Sequence, residues 1–369
     1  MSLAERIDAA IDAALINRIV GCVVMVNRDG KQVYARAAGL ADREAGRPLA
    51  TDAIFRLASV TKPIVATTVL RMADLGLLSV EDEVTKFLPW FTPKAPDGST
   101  PSIRIRDLLT HTSGITYDVP ANVAAGLAGP ILSLEQNLRN LAEAPLAFVP
   151  GTAWAYGMSI DVLGGVAAAI NGSSLEDAVA RYVGGPLGMT DTHFFVTDEK
   201  RLAVPYADGR PPLRMADPQT VTDDQTVTDD QGGQTVFSPG RICNRDAPQS
   251  GGAGMAGTAA DVMKLIEVYN GGTLLKPETV KAALANQIGP IARRASDAGK
   301  KFSFIGAVIE DPEAAGSPCP AGTVDWGGAW GHNWIVDPSS KLSIVVCTNT
   351  AFEGCNGPFR DDIIAAIYG

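Results

Sequence analysis

The sequence predicts a mixed α/β (α+β) fold: an antiparallel sheet flanked by helices, with a mostly helical second domain inserted into it. Three observations carry this. Strand-like apolar runs gather near both ends of the chain, helical periodicity broken by Pro- and Gly-rich loops fills the middle, and 369 residues exceed what one hydrophobic core usually organises. The expected division gives residues 1–85 and 252–369 to the sheet-bearing domain and 86–251 to the helical one.

The opening MSLAERIDAAIDAAL reads as an amphipathic helix. Leu3, Ile7, Ile11 and Leu15 recur every fourth residue, while Glu5, Asp8 and Asp12 interrupt any signal-peptide core. GCVVMV and KQVYARA flank the turn residues Asp29 and Gly30, so residues 21–37 read as an antiparallel hairpin. The other strand signals lie far downstream, in FSFIGAVI (302–309), NWIVD (333–337) and LSIVVCT (342–348), before a closing helix in FRDDIIAAIY. IRIRDLL, SLEQNLRNLAEA, SIDVLGGVAAAI and LEDAVARYV supply the helices of the insert. There QTVTDD occurs twice in tandem, at 219–224 and 225–230. Polar, acidic and without apolar periodicity, it reads as a duplicated loop and not as a repeat fold.

With 46% hydrophobic and 20% charged residues, the composition is that of a soluble globular protein. No apolar run reaches the roughly 18 residues needed to span a bilayer. A net charge of −10 disfavours nucleic acid and anionic membrane surfaces as partners. Cys22, Cys243, Cys319, Cys347 and Cys355 are odd in number and lack CxxC spacing, so neither a disulfide framework nor a zinc knuckle is indicated and a reducing cytoplasm is expected. His111, His193 and His332 are scattered and form no HExxH, so no metal or other cofactor is expected.

In FRLASVTKPI, Ser59 precedes Lys62 by three residues. Serine is a poor nucleophile without an adjacent base and donors for the oxyanion. The G-x-S-x-G of α/β-hydrolases is absent; GMSID around Ser159 lacks the second glycine. If a helix begins near Ser59, Lys62 shares its face, and Pro63 is tolerated because first-turn N–H groups lack intrahelical partners. The Ser59 N–H would then lie among the free donors at the positive end of the helix, where it can bind an oxyanion. Desolvation there is expected to push the Lys62 pKa down toward that of a useful base. On its own the pair also fits an N-cap serine beside a solvated lysine.

The surrounding stretches favour the catalytic alternative. LLTHTSGI (108–115), VPGTAWAY (149–156), GGPLGMTDTHF (184–194), GGAGMAGTAADVMKL (251–265) and DWGGAWGHNWIVDP (325–338) occur in the order of signatures of the serine β-lactamase and penicillin-binding superfamily. Over roughly residues 5–365 the chain resembles class C β-lactamases and, more narrowly, family VIII carboxylesterases. The resemblance implies a β-lactamase/transpeptidase-like fold and places Tyr156 at the tyrosine of the family's Y-x-N motif, sharing a proton with Lys62 as general base and then acid. Met158 stands where that motif has asparagine, and Ser159 is expected to cap the following helix. Trp326-Gly327-Gly328 stands where the family carries Lys-Thr-Gly or His-x-Gly, which would make the Ala329 N–H the second oxyanion donor. Met158, Trp326, Gly327, Gly328 and Trp330 are therefore the expected substrate-binding residues.

Without a cation at 326 or an amide at 158, the site favours neutral esters over penicillin-like substrates. His111 reads as a satisfied histidine fixing a loop; His332 fits either a wall or the surface. The expected activity is a serine carboxylesterase (EC 3.1.1 class) acting on small short-chain or aryl esters through an acyl-enzyme on Ser59. The rivals are a β-lactamase or D-alanyl-D-alanine peptidase, for which a signal peptide, an asparagine at 158 and a lysine or histidine at 326 are expected, and a catalytically silent binding protein, against which Ser59, Lys62 and Tyr156 argue.

Overall fold

In the computed structural model of the chain, residues 1–222, 234–294 and 296–369 are described. Helix α1 (Leu3–Leu15) opens on a capping box: Ser2 Oγ accepts the Glu5 N–H while the Glu5 carboxylate accepts that of Ser2. Its buried Ile7 and Ile11 lie on the expected stripe. Strands β1 (Gly21–Arg28) and β2 (Lys31–Asp42) form the predicted hairpin, with positive φ at both Asp29 and Gly30 as a two-residue hairpin turn requires. The short β3 (Arg47–Pro48) follows at the edge, and β4 (Ile54–Arg56) leads into α2 (Thr61–Asp74).

The central region holds α3 (Ile105–Leu109), α4 (Leu134–Ala142), α5 (Ser159–Asn171), α6 (Leu175–Val179) and, after a π turn at Ala180–Gly184, α7 (Gly185–Leu187). IRIRDLL yields a shorter helix than its pattern suggests, because the chain leaves the helix at Thr110 and takes positive φ at His111. Two ribbons follow, β5 (Tyr206–Ala207) with β6 (Leu213–Arg214) and β7 (Gln219–Thr222) with β8 (Gln234–Phe237). The first QTVTDD copy thus begins as a strand and not as a loop, since its alternating Thr and Val residues pair across to β8. The second copy lies outside the described residues.

After β9 (Ala256–Thr258), which pairs with β4, come α8 (Ala259–Glu267) and α9 (Pro277–Leu284). The chain closes with β10 (Lys300–Phe302), β11 (Ala307–Ile309), β12 (Val324–Gly328), β13 (His332–Asp337), β14 (Leu342–Thr348) and α10 (Pro358–Tyr368). FSFIGAVI is therefore two short strands and not one. Ser303 breaks the run: its Oγ accepts the N–H groups of Ile305 and Gly306, and its own N–H donates to the Gly306 carbonyl.

The main sheet is antiparallel, in the order β10-β11-β12-β13-β14-β1-β2-β3, so the two ends of the chain do build one layer. Alternate residues face opposite layers. Cys22, Val24 and Val26 of β1 with Ile344 and Val346 of β14 pack under α1 and α10. Val23, Val345, Cys347 and Trp334 face the other way, into a core continuous through α2, α5, α6 and α8. Cover on both faces explains why β14 is buried throughout and reads as an unbroken apolar run. Among the described residues no helix is long and apolar enough to cross a membrane.

Candidate active site

Ser59 sits in a single 3-10 turn (Ala58–Val60) that runs directly into α2, so the helix begins where the sequence predicts. The preceding Ala58 has φ +46°, a left-handed conformation that costs an L-residue energy and persists only where packing enforces it. Here Ala58 is buried against Trp330, Phe237 and Phe352. The turn leaves Ser59 partly exposed while its neighbours Ala58 and Val60 are buried.

Lys62, 4% exposed, occupies the second position of α2. Its Nζ donates to Gly252 O at 2.8 Å, Tyr117 Oη at 3.0 Å and Ser59 Oγ at 3.3 Å. All three protons of an ammonium therefore have acceptors, one of them Ser59 Oγ. The expected downward shift of the Lys62 pKa does not occur. Burial disfavours the ammonium, but Tyr117, Tyr156 and the carboxylate of Asp161 outweigh it and raise the pKa. Lys62 is thus a cation at rest, and burial raises the Tyr117 pKa in turn.

Tyr156 lies on the other side of the ammonium, with Lys62 Nζ 4.6 Å from its ring centroid. Its hydroxyl accepts the indole N–H of Trp326 at 3.1 Å. An aromatic box fixes that pair: His111 packs on the Tyr156 ring at 4.8 Å, Trp154 stacks at 6.4 Å, and Phe302 meets Trp326 edge-on at 5.3 Å. The Arg293 guanidinium lies over Trp154 and Trp326, 4.8 and 5.5 Å from their centroids. Trp326 is therefore more than a neutral replacement for a family lysine; it is tied to the Tyr156 hydroxyl.

Gly327 and Gly328 end β12 against the serine turn. A Cβ on Gly328 would come 2.4 Å from Leu57 O and 3.4 Å from Ser59 N, so only glycine lets this strand reach the Ser59 turn. A Cβ on Gly327 would lie 2.6 Å from Cys355 Sγ. Ala329 follows, partly exposed.

Several expectations need correction. Met158 is fully buried in the main core, so its side chain does not meet a substrate. Ser159 is the first residue of α5 and caps nothing; its hydroxyl bonds that of Ser113 at 2.9 Å. Trp330 is 6% exposed, packs on Phe237 and Arg56, and lines a cavity of only about 20 Å³, no larger than a water molecule needs. Trp334 belongs to the core. His111 is buried but not satisfied: its Nδ1 has no hydrogen-bond partner. Burial and the charges of Lys62 and Arg293 hold its pKa well below the usual range, so it is a neutral ring behind Tyr156. His332 is a buried wall residue whose Nε2 donates to Arg56 O at 2.7 Å; burial depresses its pKa to about 4.

Residues that the sequence reading passed over complete the arrangement. Tyr117, one of the ammonium's acceptors, follows HTSGIT with no spacing rule to mark it. Asp161 did carry a signal, an acidic side chain within the apolar run SIDVLGGVAAAI, and it is 1% exposed. Gly252 touches both Asp161 and Lys62. Cys22, Cys243, Cys319 and Cys347 are free thiols.

The beta-lactamase family model matches residues 7–368. The chain is 43% identical over 378 residues to Esterase EstB of Burkholderia gladioli, covering all of this chain and 95% of that protein. It is 28% identical to Lovastatin esterase of Penicillium rubens, over 90% of this chain and 89% of that one. A solved structure, EstCE1, described as a hydrolase with promiscuous acyltransferase activity, superposes with a TM-score of 0.94 at 38% identity, over 100% and 98% of the two chains.

Proposed function

The chain belongs to the beta-lactamase family, and from that premise we propose that it is a serine carboxylesterase cleaving short-chain or aryl esters through an acyl-enzyme on Ser59. One observation carries the reading: the Lys62 ammonium is held between Ser59 Oγ, Tyr117 and the carbonyl of Gly252, with Tyr156 across it. The similarity to EstB and EstCE1 supports the ester as substrate.

In this mechanism Ser59 Oγ attacks the ester carbonyl carbon as its proton passes to the Lys62–Tyr156 unit, which acts when it holds one proton fewer than its fully protonated form. The carbonyl oxygen, now an oxyanion, is received by the Ser59 and Ala329 N–H groups; the approach of Gly328 to Ser59 N supports that pairing. On collapse the C–O bond breaks and the alkoxide leaves with the proton from the same unit. Water then attacks the acyl carbon and gives up a proton to the unit, and Ser59 regains one as the carboxylic acid departs. An alcohol in place of water yields a new ester by the same steps.

The test is p-nitrophenyl ester hydrolysis measured beside a chromogenic cephalosporin, with a serine-directed phosphonate and peptide mass spectrometry. We expect ester turnover, a phosphonate adduct on Ser59, and loss of nearly all activity in a folded Ser59→Ala. An adduct on Ser113 or Ser159, or cephalosporin turnover as fast as that of the ester, overturns the reading.

A further inference from the structure

We propose that Asp161 is a positioning residue of the proton-transfer unit, its buried carboxylate serving through Gly252 as the counter-charge that holds Lys62 as an ammonium directed at Ser59. This rests on the serine esterase reading above.

Asp161 lies in the first turn of an otherwise apolar helix, 1% exposed. A carboxylate is costly there unless paired and hydrogen-bonded. Ser250 Oγ donates to its Oδ1 at 2.5 Å, and the Gly252 N–H faces it as a second donor. The carbonyl of the same Gly252 accepts Lys62 Nζ at 2.8 Å. One residue thus donates to the acid and accepts from the base. A Cβ on Gly252 would lie 2.4 Å from Asp161 Oδ2 and 3.4 Å from Lys62 Nζ, so the two charges face each other across the space of one methyl group. Burial disfavours both charged forms and leaves the Asp161 pKa above its ordinary value, but each charge lowers that cost for the other.

Other groups also act on the pair. Tyr117 accepts from Lys62 Nζ and Tyr156 presents its ring to it, and both favour the ammonium beside Asp161; His111 lies nearby as a neutral ring, and Arg241 faces Asp161 as a second cation. Among the described residues that shift Lys62, Asp161 is the carboxylate.

Asp161→Asn keeps the shape and an oxygen for the Gly252 N–H but removes the charge. With the anion gone, the unit gives up its first proton more easily. The acid limb of kcat/KM should therefore move to lower pH, by about 1–3 units for an opposite charge at this range. A residue that served only packing would lower the whole profile and leave the limb in place.

The experiment measures kcat/KM for a neutral p-nitrophenyl ester from pH 5 to 11, with the enzyme-free rate subtracted, on parent and Asp161→Asn, because a Lys62 pKa above its ordinary value puts the limb on the alkaline side. The pH dependence of Ser59 phosphonylation provides a second readout confined to nucleophile activation. Ser250→Ala keeps the carboxylate but removes its hydroxyl donor, so Asp161 protonates more readily and the limb should move the same way by less. It stands in if Asp161→Asn does not fold. A limb that stays in place in the folded variant overturns the proposal. A parent that neither hydrolyses esters nor labels at Ser59 overturns the functional reading instead, so the two failures are distinguishable.

Discussion

Replacing Trp326 with phenylalanine removes one donor while keeping a ring where Tyr156, Phe302 and Arg293 pack. The group lost is the indole N–H that reaches Tyr156 Oη at 3.1 Å. If that oxygen stayed neutral throughout the reaction, the loss would be that of an ordinary hydrogen bond, about 0.5–1.5 kcal/mol, or a rate decrease of about 2- to 12-fold. An oxygen that gains negative charge while relaying the serine proton draws about 1.5–3 kcal/mol from the same donor, which is about 12- to 160-fold. We expect the larger range, in kcat and not in KM, because the N–H touches the relay and not the ester. The assay is a double-mutant cycle on p-nitrophenyl acetate with Trp326→Phe, Tyr156→Phe and both, each checked for folding. In the Tyr156→Phe background the acceptor is already gone, so the second substitution should cost nothing more. Full activity in Trp326→Phe, or an equal loss in both backgrounds, refutes the argument.

Two further outcomes follow from the same geometry. Lys62→Met and Tyr156→Phe should each lower kcat severely, with the double variant little worse than either, since residues acting as one unit are not additive; losses that multiply would mean separate roles. The fully buried His332, with its pKa near 4 against an ordinary 6.5, takes up no proton in the folded state over that interval while the unfolded chain does. Stability should therefore fall as pH drops from about 6.5 to 4, by up to about 3 kcal/mol from this residue. His332→Gln, which keeps a donor for the Arg56 carbonyl, should show a smaller difference between urea midpoints at pH 7.5 and 4.5; an unchanged difference would remove His332 as the cause.

The sheet was legible because both its faces are covered: strands such as LSIVVCT must be apolar throughout, and that leaves a strong signal in the sequence. FSFIGAVI carried the same signal and was misread, since a serine hydroxyl closing a turn on Ile305 and Gly306 looks no different in sequence from one inside a strand. The contact of Ser59 with Lys62 was legible because a three-residue separation puts both side chains on one helix turn. Tyr117 was not, because it reaches Lys62 from 55 residues away through tertiary packing alone. Asp161 stood out by its apolar context, but its partners Ser250 and Gly252 come from a distant loop. The direction of the Lys62 pKa turned on these unseen neighbours; burial alone points the wrong way.

Substrate choice rests on fewer residues than the sequence suggested. Met158 was one of two departures taken to weaken recognition of a β-lactam, yet its side chain lies wholly in the core and neither favours nor opposes any substrate. The argument therefore falls to Trp326. A lysine there could grip a substrate carboxylate; the indole has one polar atom, and that atom is already bonded to Tyr156. An acidic substrate loses a charge-assisted contact, while a neutral ester loses nothing. In the proposed mechanism the same N–H supports the proton relay, so a Trp326→Lys exchange made to recruit β-lactams would also remove a support from the base that must cleave them. On that mechanism ester preference and proton transfer are coupled at one side chain, and a change in substrate class requires rebuilding the partner of Tyr156 along with the pocket.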